Sequence, residues 1–249
     1  MTARPDAARA YLRRLVELLA TIESDDLDGP IDAAADVVAS TLAGGGLVHV
    51  FGTGHSHLLA LELFYRAGGL AAVDPVLVES LMLHVSASQS TLDERTGSHL
   101  DEIGRRHDFR AQDALIVISN SGGNGAPVEV AEFAKSRGLP VVALTSSAHA
   151  ASDRGRAGDF PLLHIADVVL DNRGVPGDAA VTVGGLEAPM GPTSTVIGAA
   201  ILNAVAIRAA ERLLAMGSTP EVFVSANIKG GDEWNTVLIE KYRGRVGAL

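Results

Sequence analysis

Short uninterrupted apolar runs alternate along this chain with longer segments of helical periodicity. The apolar runs cover residues 47–51, 71–78, 114–119, 140–145 and 166–171. Apolar runs without polar alternation are typical of strands covered on both faces, and helical segments between them are typical of parallel crossovers. The pattern therefore predicts an α/β fold, a three-layer α-β-α sandwich around a five-stranded parallel sheet.

Helical spacing of apolar residues extends to both ends of the chain. It predicts helices over about residues 5–23, from Pro30 to the glycines at 44–46, over 193–214 and over 233–242. The polar stretch 86–98 gives no clear prediction. We expect one domain over 1–249, with N-terminal helices in 1–45, the sheet core in 46–215, and a tail and helix in 216–249.

Composition excludes several classes of protein. The formal charge of −10 argues against nucleic-acid binding, which needs clustered Lys and Arg. Cysteine is absent, so neither disulfides nor thiolate metal sites can form. Neither a signal peptide nor a membrane-length apolar run is evident, and we expect a cytoplasmic protein without membrane contact.

The turn after the third apolar run is rich in Ser, Asn and Gly. It contains Ser119, Asn120, Ser121 and Asn124, and Pro127 then opens a helix. A strand, a Ser/Gly turn and a helix N-terminus place hydroxyls and backbone N–H groups around one point, where an anion is favoured. An ordinary strand-to-helix turn has a similar composition, so the alternative is a turn without a ligand. We interpret the segment 115–145 as a phosphate-binding element.

Residues 118–145 also resemble the signature of the sugar isomerase (SIS) domain, and Gly52 to Ser56 resembles the first loop of that family. The segment 192–195 resembles its third element, and the likeness spans most of 30–215. The ending at 225–235 resembles a bacterial SIS subgroup in which some members bear the name phosphoheptose isomerase.

The resemblance implies a sugar-phosphate ligand, and a homodimer or homotetramer. It implies phosphate contacts from Ser119, Ser121, Asn124, Ser56 and Thr145, and sugar contacts from Gly54, His55, Asn120, Thr193 and Ser194.

Enzymes that act on sugar phosphates remove the proton next to the open-chain carbonyl, which requires a base. Glu79 and Glu187 resemble in position the glutamates of N-acetylmuramic acid 6-phosphate etherase, another SIS enzyme, and His84 is a candidate acid for ring opening. The likeness favours a dehydratase or lyase that takes the C2 proton of an amino-sugar 6-phosphate and eliminates the C3 substituent. The alternatives are an aldose-ketose isomerase and a non-catalytic phosphosugar sensor.

No cofactor or metal is expected. The loop 52–57 lacks the third glycine of a dinucleotide-binding fingerprint. His55 and His57 have no third ligand at metal-motif spacing. His49 lies inside an apolar run and is interpreted as a packed core histidine.

Overall fold

The computed structural model describes residues 6–96, 98–152 and 161–249. A five-stranded sheet lies at its centre, with every neighbouring pair parallel. The strands are β1 (Val48–Gly52), β2 (Val73–Val76), β3 (Ala114–Ile118), β4 (Val141–Thr145) and β5 (Val168–Asp171), in the order β2-β1-β3-β4-β5. Each agrees with a predicted run to within about two residues at either end. The predicted α/β sandwich with five parallel strands is confirmed.

The helices between and beyond the strands include all four that periodicity predicts. They are α1 (Ala7–Asp25), α2 (Asp32–Ala43), α3 (His57–Leu63), α4 (Leu83–Thr96), α5 (Leu100–Arg106), α6 (Gly125–Ser136), α7 (Ser147–Ala150), α8 (Pro161–Ile165), α9 (Ser194–Ala215) and α10 (Gly231–Tyr242). Pro5, where the first predicted helix starts, lies outside the described residues. The unassigned stretch 86–98 contributes most of α4.

Side chains on alternate positions of each strand enter opposite helical layers. In β3, Ile116 and Ile118 pack with α1, α2, α3 and α9. Leu115 and Val117 pack on the other face with α5, α6 and α8. Because both faces are covered, the strands are apolar at nearly every position, which explains the runs in the sequence.

The C-terminal tail closes the side of the sheet near β2. Leu70 and Val222 form an antiparallel bridge. Val246 is fully buried against Leu47 and Ala72. β2 is an edge strand and carries Pro75 in its interior.

Candidate functional site

Three neighbouring strands end at one edge of the sheet. β1, β3 and β4 are parallel, so the turns after Gly52, Ile118 and Thr145 lie side by side. The next strand after β1, β2, lies on one side of β1, whereas β3 and the later strands lie on the other side. The direction in which strands are added therefore reverses between β1 and β3. In open parallel sheets, ligands bind outside the carboxyl ends at such a reversal.

The turn after β3 presents free hydrogen-bond donors. Ser119 is buried, and its Oγ accepts from the Gly122 N–H at 3.3 Å and lies 3.5 Å from Ser121 Oγ. Within the described ranges, the N–H groups of Ser121, Gly123 and Asn124 donate to no acceptor. Asn124 occupies the N-cap position of α6 without a capping side-chain hydrogen bond, and the helix dipole adds positive partial charge there. The turn can therefore hold an anion without Lys or Arg.

Backbone conformation sets the shape of this turn. Gly122 has a φ of +66°, in the left-handed region. A Cβ at Gly122 would lie 3.1 Å from Thr145 Oγ1. The turn therefore sits tightly against the end of β4.

The turn after β1 folds back onto its own strand. A Cβ at Gly52 would come within 2.7 Å of the carbonyl carbon of Ser56, so this position requires glycine. Thr53 is buried, Gly54 and Ser56 are half-buried, and His55 is exposed. This turn thus has one exposed imidazole and one partly accessible hydroxyl at the carboxyl edge of the sheet.

Glu94 of α4 joins the two turns. Its Oε1 accepts from Thr53 Oγ1 at 2.5 Å and from Asn124 Nδ2 at 2.8 Å. The first donor belongs to the turn after β1 and the second to the turn after β3. Sequence reasoning missed Glu94, because one acid in a polar stretch carries no specific signal.

The predicted residues Thr145 and Asn120 connect the turn after β3 to neighbouring strands. Thr145 is fully buried, and its hydroxyl donates to Asn120 O at 3.5 Å. The Asn120 side chain accepts from Asn172 Nδ2 at 2.9 Å, which ties it to the end of β5. These contacts fix the turn after β3 against two neighbouring strands.

Thr193 and Ser194 lie at the N-terminus of α9, where a carboxylate already occupies the donors. Asp178 Oδ1 accepts from the N–H groups of Thr193 at 2.9 Å and Ser194 at 3.0 Å, and Asp178 Oδ2 accepts from Ser194 Oγ at 2.5 Å. Asp178 therefore caps the helix from a distant part of the chain.

The three predicted acid-base residues are all exposed. Glu79 lies in a one-turn 3-10 helix just after β2, and Glu187 lies between the bridged residues Val181 and Met190. Neither carboxylate has a hydrogen-bond partner among the described residues. The His84 ring lies 6.4 Å from the His57 ring, beside the turn after β1. The structure thus brings His84 near this turn and leaves both glutamates at the surface.

A profile of the SIS domain matches residues 10–146. This chain belongs to the SIS domain family. The resemblance carried by the serine and glycine turns is therefore confirmed.

Relatives of similar length match nearly all of this SIS protein. A UPF0309 protein of Geobacillus thermodenitrificans is 40% identical over 240 residues, which cover 96% of both chains. A UPF0309 protein of Brucella canis is 44% identical over 221 residues, which cover 89% of this chain and 90% of the relative.

Solved structures share the fold at low identity. A Bacteroides fragilis protein, provisionally named a phosphosugar isomerase involved in capsule formation, aligns with a TM-score of 0.50 at 16% identity. That alignment covers 84% of this SIS protein and 91% of the other chain. Phosphoheptose isomerase from Neisseria gonorrhoeae aligns with a TM-score of 0.48 at 20% identity, covering 81% and 95%.

The described residues of the SIS protein contain no group of three or more His, Cys, Asp or Glu side chains that could hold a metal ion. None of their helices combines the length and apolarity needed to cross a membrane. The cytoplasmic location and the homodimer or homotetramer stay predictions.

Proposed function

We propose that this protein binds a sugar phosphate at the turn after β3 and acts on the open-chain sugar beside it. The observation that carries the proposal is the Glu94 bridge, because it joins the turns after β1 and β3 through one carboxylate. The turn after β3 has free N–H groups for a phosphate, and the Glu94 carboxylate lies next to it.

Local donors are sufficient to hold the anion. A hydrogen bond to a charged group contributes about 1.5–3 kcal/mol, so several N–H and hydroxyl donors can offset the unfavourable field of a protein with net charge −10. The name of the Bacteroides fragilis structure, a phosphosugar isomerase, supports the same class of ligand.

We assign the ligand contacts as the sequence suggests. The phosphate would contact Ser119, Ser121, Asn124, Ser56 and Thr145, and the sugar would contact Gly54, His55, Asn120, Thr193 and Ser194. For Thr193 and Ser194 this contact requires the ligand to displace Asp178, and for the buried Thr145 it requires the hydroxyl to leave Asn120 O. His84 remains a candidate acid for ring opening, and Glu79 and Glu187 remain candidates for proton transfer.

The proposed reaction starts with transfer of the C2 proton to a glutamate, which leaves an enolate, or an enediolate when C2 carries a hydroxyl. If the sugar carries an acetamido group at C2, the electron pair expels the C3 oxygen substituent, which leaves with a proton as water or as lactate. If C2 carries a hydroxyl, a proton returns at C1 and an aldose becomes a ketose. The chemistry of the substrate thus decides between lyase and isomerase.

The test incubates the protein in deuterated water with N-acetylhexosamine, hexose and heptose phosphates, followed by NMR. Deuterium at C2 with loss of the C3 substituent supports elimination, and aldose-to-ketose conversion supports isomerisation. Binding without exchange or turnover would contradict an enzymatic function and support a non-catalytic phosphosugar sensor.

A second test addresses the phosphate site. Ser121→Ala should weaken binding of the sugar phosphate, since it removes one hydroxyl from the turn. Ser136→Ala, at the far end of α6, is the matched control. Equal affinity of wild type and Ser121→Ala would count against the assigned phosphate site.

A further inference from the structure

Glu94 differs from the other acidic residues near the cleft in how its carboxylate is held. One oxygen, Oε1, accepts both hydrogen bonds, from Thr53 and from Asn124. The other, Oε2, accepts none within the described ranges and is not fully buried. Oε2 is therefore oriented through the first oxygen and accessible to a ligand.

We propose that Glu94 is the catalytic base that takes the C2 proton, an inference that rests on the proposed function. A general base must lie within hydrogen-bond reach of the proton it removes and must be held in that geometry. The hydrogen bonds from Thr53 and Asn124 hold the Glu94 carboxylate in a fixed orientation. Both donor residues are neutral, and no Lys, Arg or His in the described part of the chain pairs with Glu94, so no cation competes for its proton-accepting oxygen.

Glu79 and Glu187 lack this arrangement. Both side chains are exposed, and no described residue orients either carboxylate. A side chain that samples several rotamers is seldom in the reactive geometry, which lowers its effectiveness as a base. The base is therefore assigned to α4, a helix that sequence periodicity leaves undefined.

Asn124 links the base to the phosphate. Its side chain holds Glu94, while its backbone N–H is one of the free donors at the helix N-terminus. A phosphate bound to the turn would fix Asn124 and, through it, the carboxylate. Repulsion between the two anions also directs the free carboxylate oxygen toward the neutral carbon chain of the ligand. Thr53 and Asn124 are positioning residues in this scheme.

The experiment compares wild type with Glu94→Gln, Glu79→Gln, Glu187→Gln and Thr53→Val, and uses Glu240→Gln on the exposed face of α10 as a control. Deuterium incorporation at C2 of the sugar phosphate that wild type turns over is the first readout, and affinity for inorganic phosphate is the second. Glu94→Gln should slow exchange about 100-fold or more, because general base catalysis contributes that much. It should also remove the acidic limb of the kcat/KM profile and preserve phosphate binding.

Thr53→Val should lower kcat with little change in KM and shift the acidic limb, because it frees the carboxylate without touching the phosphate. A purely structural role for Thr53 would leave the pH profile in place.

Wild-type exchange rates in Glu94→Gln would overturn the inference while the proposed function stands. Loss of exchange in Glu79→Gln or Glu187→Gln alone would move the base to that residue. Tighter phosphate binding by Glu94→Gln with unchanged exchange would make the carboxylate a competitor for the anion instead. If wild type exchanges no C2 proton with any class of substrate, both the proposed enzymatic function and the assignment of Glu94 as the base are wrong.

Discussion

His49 lies between two buried carboxylates: its Nδ1 is 2.8 Å from Asp74 Oδ2, and its Nε2 is 3.2 Å from Asp113 Oδ2. All three side chains are fully buried. Ionised carboxylates only accept hydrogen bonds, so this geometry favours the imidazolium form, in which both ring nitrogens donate. His107 Nδ1 also contacts Asp74 at 2.7 Å, and Arg245 donates to Asp113 at 2.7 Å.

The charges of this cluster stabilise one another. Burial alone would lower the pKa of His49, but the hydrogen bonds to Asp113 and Asp74 outweigh burial and raise that pKa above its ordinary value. Burial alone would raise the pKa of both aspartates. Hydrogen bonds from His107 and His49 hold the pKa of Asp74 below its usual range, and those from His49, the Leu47 and Arg110 N–H groups and Arg245 do the same for Asp113. The cluster lies at the amino end of the strands, away from the turn after β3.

We expect the free energy of unfolding to fall as the pH rises above about 6.5, the pKa of an unfolded histidine. The folded state holds the proton of His49 more tightly, so its contribution is complete below that pH and is lost as the pH rises through the raised pKa. For the aspartates the sign is opposite, and their contribution falls once the pH drops below about 3.9. Urea unfolding across this pH range measures the loss of stability at both the alkaline and the acidic end.

His49→Gln is the matched variant for the pH dependence. It keeps hydrogen-bonding groups at the position and cannot carry the charge, so its unfolding free energy should be less dependent on alkaline pH. It should also be lower by about 3–5 kcal/mol, since a buried ion pair loses one partner. A slope equal to that of wild type would mean that another group is responsible.

Arg245→Gln should lower the free energy of unfolding by about 1.5–3 kcal/mol, the contribution of a hydrogen bond to a charged group. Arg245 fastens the last residues of the chain to buried Asp113, and it also donates to Asp108 O at 3.3 Å. Thermal and urea unfolding measure the change. Arg243→Gln, at an exposed position, is the control, and equal losses in both variants would contradict a specific role for Arg245.

Asp178→Ala should lower the free energy of unfolding by about 1 kcal/mol, because α9 loses its N-terminal cap. Asp178→Asn keeps an acceptor oxygen and also tolerates the φ of +51° at this position, so it should cost less. The urea midpoint distinguishes the two. Equal destabilisation by Ala and Asn would show that the negative charge of Asp178, not its hydrogen bonds, stabilises the N-terminus of α9.

Gly122→Ala should reduce stability by about 1–2 kcal/mol, because a side chain is disfavoured at the φ of +66°. It should also weaken binding of inorganic phosphate, since the added Cβ meets Thr145 Oγ1. Gly104→Ala, with open space in the interior of α5, should instead raise stability by about 0.5–1 kcal/mol. Unaltered phosphate affinity in Gly122→Ala would argue against the turn as the anion site.

The positions of the strands and the donor-rich turn after β3 could be located in the sequence because their signals are local. A buried parallel strand such as β3 is apolar at consecutive positions, and the turn that follows it carries its donors within six residues, Ser119 to Asn124. The core position of His49 could also be inferred from the apolar run around it and is confirmed.

Contacts between distant residues could not be predicted in the same way. Glu94 reaches Thr53 across 41 residues and Asn124 across 30, and nothing in its own segment indicates those partners. Asp178 caps a helix that begins 16 residues later, where a local capping pattern would place the cap next to the helix. The catalytic predictions on Glu79 and Glu187 relied on position along the chain, which does not determine burial or orientation.

Pro75 affects how this chain can associate with other copies. An edge strand normally offers a row of free N–H and C=O groups to which a strand of another molecule can add. β2 has only four residues, and Pro75 removes one donor from its interior. Extension of the sheet across β2 is therefore disfavoured, which protects this edge against amyloid-like stacking and leaves helices and loops as the surfaces for assembly on that side.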